Sequence, residues 1–109
     1  MSQNYLKSVT RQITLDNNYQ TIVFLVFNFS WQQEEIMNFT NCFFKLLNNA
    51  NLVEKIEGAD RLSSRFTYHN EEFILNIECI CESIWIEVPT CPHEAAFHSL
   101  YQAINTIIQ

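Results

Sequence analysis

Residues 62–88 constrain the fold more than any other part of the sequence, because apolar side chains recur there at every second position. This period is typical of strands that bury one face. Connections at Asn70-Glu71 and Glu82-Ser83 would divide the segment into three strands with a common apolar face. The predicted cross-strand pairs are Tyr68 with Phe73, Phe66 with Leu75, Cys79 with Ile86, and Cys81 with Ile84. We therefore predict an antiparallel three-stranded meander.

The segment before the meander combines strand and helix patterns. Residues 9–15 alternate apolar and polar side chains, which favours a half-buried strand, and residues 21–29 are apolar at both parities. A strand that is apolar on both sides is normally covered on both sides. Ser30 and Gln33 fit a capping box at the start of a helix whose apolar stripe extends to Leu47.

Two more elements complete the predicted topology. Residues 52–57 favour a short strand that ends at Gly58, and Pro92 suits the first turn of a final helix. The order β-β-α-β-β-β-β-α predicts an α+β two-layer sandwich, in which two helices pack on one face of a mostly antiparallel sheet. A length of 109 residues fits a single domain over residues 1–109.

The charge and hydropathy of the chain argue against several classes of partner. Six basic residues against twelve acidic ones give a net charge of −6, whereas phosphate backbones and anionic membranes bind to clustered Lys and Arg. No apolar stretch approaches the ~20 residues that cross a bilayer, and the N-terminus lacks the apolar core of a signal peptide. We expect a cytoplasmic protein with reduced thiols, and neither nucleic acid nor membrane as a partner.

The stretch CICESIWIEVPTCPH at 79–93 raises the question of a metal site. Cys79 and Cys81 continue the core parity of the meander, and residues two apart on a strand lie ~6.7 Å apart. Two sulfurs bound to one zinc lie within about 4 Å of each other. The wider spacing of Cys79 and Cys81 therefore favours core packing over zinc binding. We expect no cofactor. The alternative is a metal site that combines Cys79 or Cys81 with Cys91 and His93, at the start of the last helix.

The predicted outer face of the meander carries the candidate interaction residues. They are Arg65, Ile74, Glu78, Ile80, Trp85 and Glu87. In the predicted register Glu78 lies opposite Glu87, a destabilising pair that Arg65 would neutralise from a diagonal position. Trp85 and Ile80 would lie side by side, and exposed apolar clusters often mark contact surfaces. We expect a second copy of the chain, the N-terminal segment or a foreign partner to cover this face.

No set of residues in the sequence indicates catalysis. His69 and His98 lack a Cys or Ser at a recognisable nucleophile spacing, and a single glycine, Gly58, cannot form a glycine-rich phosphate loop. A catalytic carboxylate pair needs a pocket, of which the sequence shows no sign around Glu78 and Glu87. We expect a protein that is not an enzyme.

The segment ECICESIWIEV at 78–88, after RFTYHNEEFILNI at 65–77, resembles a small bacterial family of uncharacterised proteins, a domain of unknown function. The resemblance covers the C-terminal half of the chain. The residues that carry it are Glu78, Ser83, Trp85, Ile86 and Glu87. It implies a bacterial origin and no known activity.

The leading hypothesis is an acidic protein-interaction domain that covers its open sheet face by self-association as a homodimer. A related version binds the basic surface of another protein. The alternative is a small-molecule or metal-binding protein with its site at Cys91 and His93. Replacing these two residues by alanine separates the hypotheses, because self-association predicts an unchanged oligomer mass and no lost ligand.

Overall fold

Three helices and six strands form in the residues that the structure describes. The structure is a computed structural model, and it describes residues 5–16, 21–89 and 94–108. In chain order the elements are α1 (Tyr5–Val9), β1 (Thr10–Leu15), β2 (Thr21–Val26), α2 (Gln33–Leu46), β3 (Ala50–Glu57), β4 (Arg61–Tyr68), β5 (Glu71–Glu78), β6 (Ser83–Glu87) and α3 (Glu94–Ile108). The predicted α+β fold is confirmed, and α1 is an additional short helix.

The six strands form one antiparallel sheet in the order β1-β2-β6-β5-β4-β3. Strands β3 to β6 each pair with their neighbours in sequence, which includes the predicted meander. The last of these strands, β6, then pairs with β2 and so joins the β1-β2 hairpin to the meander. This order leaves β1 and β3 as the two edge strands.

The hydrophobic core lies between the sheet and the helices. The largest fully buried side chains on the sheet are Ile22, Phe66, Phe73, Leu75, Ile77, Ile84 and Ile86, and the helices contribute Leu6, Phe39, Phe43, Phe97 and Leu100. Aromatic rings meet edge to face across this layer, with the Phe24 ring centre 6.0 Å from that of Phe39. Among the described residues, no helix is long and apolar enough to cross a membrane.

The helix α2 begins at Gln33 rather than after the predicted cap at Ser30. Trp31 lies between them with a φ of 61°, so the backbone does not run from Ser30 into the helix. Ser30 Oγ instead accepts a hydrogen bond from the Gln32 N–H at 3.3 Å, and Gln32 occupies the cap without a side-chain hydrogen bond. The predicted capping box is therefore wrong. The predicted helix start at Pro92 lies outside the described residues.

The register of the meander differs from the prediction by two residues at its first turn. His69 and Asn70 form this turn, with φ of 53° and 64°, and Phe66 lies opposite Phe73. Turns with positive φ at both central residues match the twist of paired strands, and Asn adopts this conformation more readily than most residues. Because a shift by two residues keeps each side chain on the same face, the predicted buried face is correct although the predicted pairs are wrong.

The second turn of the meander also lies elsewhere than predicted. The strand β5 ends at Glu78, which pairs with Ser83, and the four residues between them form the connection. The Cys79 N–H donates to the carbonyl of Asp60 at 2.8 Å, which extends the contact of the two strands by one residue to the β3-β4 turn, and the chain then enters the β5-β6 turn. Cys79 is therefore half-buried and Cys81 is exposed, so their predicted pairing with core residues is wrong.

Ser63 and Ser64 allow a matched test of the two faces of β4. Ser64 Oγ is buried without a hydrogen-bond partner among the described residues, whereas Ser63 Oγ donates to Asn76 Oδ1 at 2.7 Å. An unpaired buried hydroxyl costs about 1–3 kcal/mol. Ser64→Ala should therefore raise the free energy of unfolding by roughly 1 kcal/mol, and Ser63→Ala should lower it by a similar amount. Urea unfolding of the two variants checks this, and a loss of stability for Ser64→Ala would contradict it.

Candidate functional site on the outer face of the sheet

The sheet face opposite the helices, which we call the outer face, carries alternate residues of all six strands. The short helix α1 packs against α2, α3 and β1. Its buried residues, Leu6 and Val9, belong to the core on the helix side. Residues 5–9 therefore do not cover the outer face, for which the N-terminal segment was one of three expected covers. No described helix lies over the outer face.

Val23, Leu25 and Phe27 form an apolar stripe on the outer face. Their exposed fractions are 45%, 55% and 39%, whereas Ile22 and Phe24, at the other parity, are buried under the helices. As predicted, β2 is apolar on both faces, and the described residues cover one of them. Adjoining exposed apolar side chains are typical of contact surfaces, whereas single ones occur on any protein.

Trp85 lies opposite Val23 and extends the apolar stripe onto β6. Its ring is half-buried, and the guanidinium carbon of Arg61 lies over it, 5.2 Å from the ring centre. The indole Nε1–H donates to Glu87 Oε1 at 3.0 Å. Because these two contacts hold the ring in one orientation, little conformational entropy remains to be lost when a partner packs on it.

Asn76 lies beside Trp85 on the neighbouring strand and is only 2% exposed, although it is on the outer face. Its Nδ2 donates to Glu87 Oε1 at 3.3 Å, and its Oδ1 accepts from Ser63 Oγ at 2.7 Å. Glu87 therefore accepts hydrogen bonds from Asn76 and from Trp85 through one oxygen. A connected set of hydrogen bonds of this kind makes the surface around Trp85 rigid.

Arg65 joins three strands of the outer face. Its guanidinium donates to Glu54 Oε1 on β3 at 2.8 Å and to Glu72 on β5. The hydrogen bonds to Glu54 and Glu72 raise the pKa of Arg65 above its ordinary value, so its charge is permanent at any working pH. These ion pairs are exposed to water and contribute little to stability, but the single positive charge of Arg65 offsets half of the charge of the two carboxylates.

The predicted contact between Glu78 and Glu87 is wrong. Glu78 lies opposite Arg61, which donates to its Oε1 at 3.2 Å, and Glu87 lies opposite Ile74. The shift of the β5-β6 register by four residues separates Glu78 from Glu87, and the shift of the β4-β5 register by two residues moves Arg65 away from Glu78. Arg61 takes the neutralising role that was predicted for Arg65, but only toward Glu78.

All three arginines of the chain lie on the outer face, and the three lysines do not. Arg11 lies over the Phe27 ring, 5.6 Å from its centre, as Arg61 does over Trp85. Lys7 and Lys45 lie on helices, and Lys55 is at the other parity of β3. The strand glutamates of the outer face are Glu54, Glu72, Glu78 and Glu87. Three positive against four negative charges leave this face nearly neutral in a chain with a net charge of −6.

Both edge strands are irregular, which weakens them as sites for pairing with another strand. The register of β1 shifts between Thr10 and Gln12, and that of β3 shifts between Leu52 and Glu54. Bulges and charged side chains at sheet edges are common means of preventing edge-to-edge association. Any contact through the sheet is therefore favoured at its outer face and not at its edges.

The predicted interaction residues lie close together with one exception. Arg65, Ile74, Glu78, Trp85 and Glu87 lie on neighbouring strands of the outer face, whereas Ile80 lies in the turn after β5 and is 72% exposed. Ile80 is therefore not beside Trp85. The list of interaction residues left out Val23 and Leu25, although the two-sided apolar pattern of residues 21–29 was recognised in the sequence. It also missed Arg61 and Asn76, whose roles depend on the register.

The described part of the chain contains two of the four candidate metal ligands, Cys79 and Cys81. Cys81 Sγ lies 3.6 Å from Glu78 Oε2, and the negative charge of that carboxylate raises the pKa of the Cys81 thiol. Within the described ranges, no three His, Cys, Asp or Glu side chains are grouped around a possible metal position. Cys91 and His93 lie outside the described residues, so a site there stays a prediction, which zinc analysis of protein purified without chelator tests.

Comparison with known proteins adds a family but no activity. A family model described as a protein of unknown function (DUF3630) matches residues 10–101. The match begins at the first strand and ends within α3, so it includes the whole sheet and both halves of the chain. Neither the curated proteins nor the solved structures give a significant match.

Proposed function

The chain belongs to the DUF3630 family of proteins of unknown function, and because membership brings no activity with it, we propose a function from the surface of the sheet. The protein is a non-enzymatic interaction domain that self-associates, with the outer face of one copy packed against the outer face of a second. The observation that carries this proposal is the apolar stripe of Val23, Leu25 and Phe27 beside the fixed ring of Trp85.

The charge distribution supports self-association through this face. Two copies with a net charge of −6 repel each other, so the contact is most favourable where each copy is nearly neutral. The outer face meets this condition, since Arg61 is paired with Glu78 and Arg65 with Glu54 and Glu72. Trp and Arg, both present at its centre, are also enriched in the residues that dominate protein interfaces.

The size of the face also supports a dimer. Six strands spaced ~4.8 Å apart and about 20 Å long give a flat area of roughly 600 Å². Side-chain relief increases the accessible area beyond this value, and a standard interface buries ~800 Å² on each partner. A two-fold axis in the plane of the contact would make the interface self-complementary, as in most homodimers.

The ionisable groups of the outer face support the non-enzymatic part of the proposal. Glu54 and Glu72 bind Arg65, Glu78 binds Arg61, and Glu87 accepts from Trp85. A general acid or base needs a carboxylate that is free to exchange its proton with a substrate. The proposal also includes a cytoplasmic location, where thiols stay reduced, and the bacterial origin that the sequence resemblance implies.

Light scattering over a concentration series tests the proposal. The wild-type protein should change from monomer to dimer as its concentration rises, and Leu25→Glu should prevent this by placing two charges in the contact. Ile80→Glu is the matched control, because it adds the same charge at an exposed apolar residue outside the face. A monomer at all concentrations, or a Leu25→Glu dimer as tight as the wild type, would refute self-association through this face. Circular dichroism checks that both variants are folded.

A further inference from the structure

A pocket of about 370 Å³ lies between the start of α2 and the tip of the β3-β4 hairpin, away from the apolar stripe. Its apolar lining comes from Trp31, Ile36, Met37, Leu62 and Cys79. Its polar lining comes from Gln32, Gln33, Glu57, Asp60 and Arg61. The volume falls at the lower end of the range for small-molecule sites, and the mixture of an apolar lining with a few polar groups is typical of them.

Trp31 is held at this pocket in a strained conformation. Its φ of 61° lies in the left-handed region, which is unfavourable for a large side chain by about 1–2 kcal/mol. The Phe29 ring lies nearly perpendicular to the indole with the ring centres 4.7 Å apart, and it keeps the indole in place. Strained residues persist where the surrounding structure fixes them, and they cluster at ligand sites.

The charges around the pocket favour a cation. Arg61 lines it, but the guanidinium of Arg61 is turned to the outer face, where it binds Glu78 and lies over Trp85. Glu57 and Asp60 have no ion-pair partner among the described residues, so two full negative charges remain at the rim. The start of α2 contributes about half a positive charge, which is too small to reverse this balance.

We propose that this pocket binds a small primary ammonium compound with an apolar body. The ammonium group binds to Glu57 and Asp60, and the apolar body packs on the indole of Trp31 and the thioether of Met37. The side-chain amides of Gln32 and Gln33 provide further hydrogen bonds. The proposal does not depend on self-association, because the pocket is separate from the apolar stripe.

The probe is 2-phenylethylamine, which is protonated at neutral pH, and the measurement is nuclear magnetic resonance of the ¹⁵N-labelled protein. Gly58 lines the pocket and is the only glycine of the chain, so its amide signal is a specific reporter. The signals of Gly58 and of the Trp31 indole N–H should shift saturably, and that of the Trp85 indole should not. The uncharged 2-phenylethanol and the anionic 3-phenylpropanoate should bind more weakly.

Neutral variants of the two carboxylates complete the test. Glu57→Gln and Asp60→Asn should each weaken binding of 2-phenylethylamine by about two- to fivefold, as expected for exposed ion pairs, and leave binding of 2-phenylethanol unchanged. Glu82→Gln is the matched control, because Glu82 lies in the β5-β6 turn and does not line the pocket. Equal binding of all three probes, an equal effect of Glu82→Gln, or no saturable shift at Gly58 would overturn the proposal.

Discussion

Replacing Phe43 by alanine should lower the free energy of unfolding by about 3–5 kcal/mol. Phe43 is fully buried on α2, and its ring centre lies 6.2 Å from that of Phe24 on β2 and 6.0 Å from that of Phe66 on β4. The side chain thus joins the helix layer to strands near both ends of the sheet. A cavity at this position cannot close without moving α2 and both strands, so little of the loss would be recovered.

Phe44→Ala is the matched control for Phe43→Ala. Phe44 is the next residue on the same helix and lies 5.2 Å from Phe66 between ring centres, but it is only half-buried. Its replacement should cost about 1–2 kcal/mol, because less apolar surface returns to water. Urea unfolding gives both values. Equal losses for the two variants would show that Phe43 is not the centre of this aromatic cluster.

The buried face of the sheet was predictable because it depends on periodicity alone. Phe73, Leu75 and Ile77 recur at every second position of β5, and this period places them on one face in any register that shifts by an even number of residues. The packing of two helices on that face follows from the apolar surface that the sheet and the helices must bury together. The fold class therefore did not require the correct strand pairs.

The register was not predictable, because it depends on the backbone conformation of the turns. His69, Asn70 and Glu82 all adopt positive φ without a glycine to indicate it. The sequence signal for such turns is strongest with Gly, and the only glycine of this chain, Gly58, has an ordinary φ. A shift of two or four residues was enough to exchange Arg65 for Arg61 beside Glu78.

The candidate site was predictable only where it lies on one strand. The parity of Val23 and Leu25 shows an apolar outer side of β2, but the contact of β2 with β6 joins segments about sixty residues apart. That pairing places Val23 beside Trp85, and no local pattern indicates it. The pocket at Trp31 was missed for a similar reason, because it forms between the start of α2 and a hairpin of separate sequence.

The short helix α1 was also missed, because five residues are too few to show a helical period. Isolated helices of this length are unstable in water, so α1 depends on its tertiary contacts. Leu6 is fully buried, and the Tyr5 hydroxyl donates to Glu35 on α2. Burial, and next the hydrogen bond to Glu35, raise the pKa of Tyr5, which keeps its hydroxyl protonated as a donor. Packing, rather than propensity, therefore holds α1 in the core.

Leu6→Ala should accordingly lower the free energy of unfolding by about 2–5 kcal/mol, because its side chain is fully buried. A loss of this size would identify α1 as part of the core. Tyr5→Phe, which removes only the hydroxyl that binds Glu35, should cost about 0.5–1.5 kcal/mol. Urea unfolding of both variants decides the question, since a smaller loss for Leu6→Ala than for Tyr5→Phe would mean that α1 is held by its hydrogen bond to Glu35 and not by its apolar contacts.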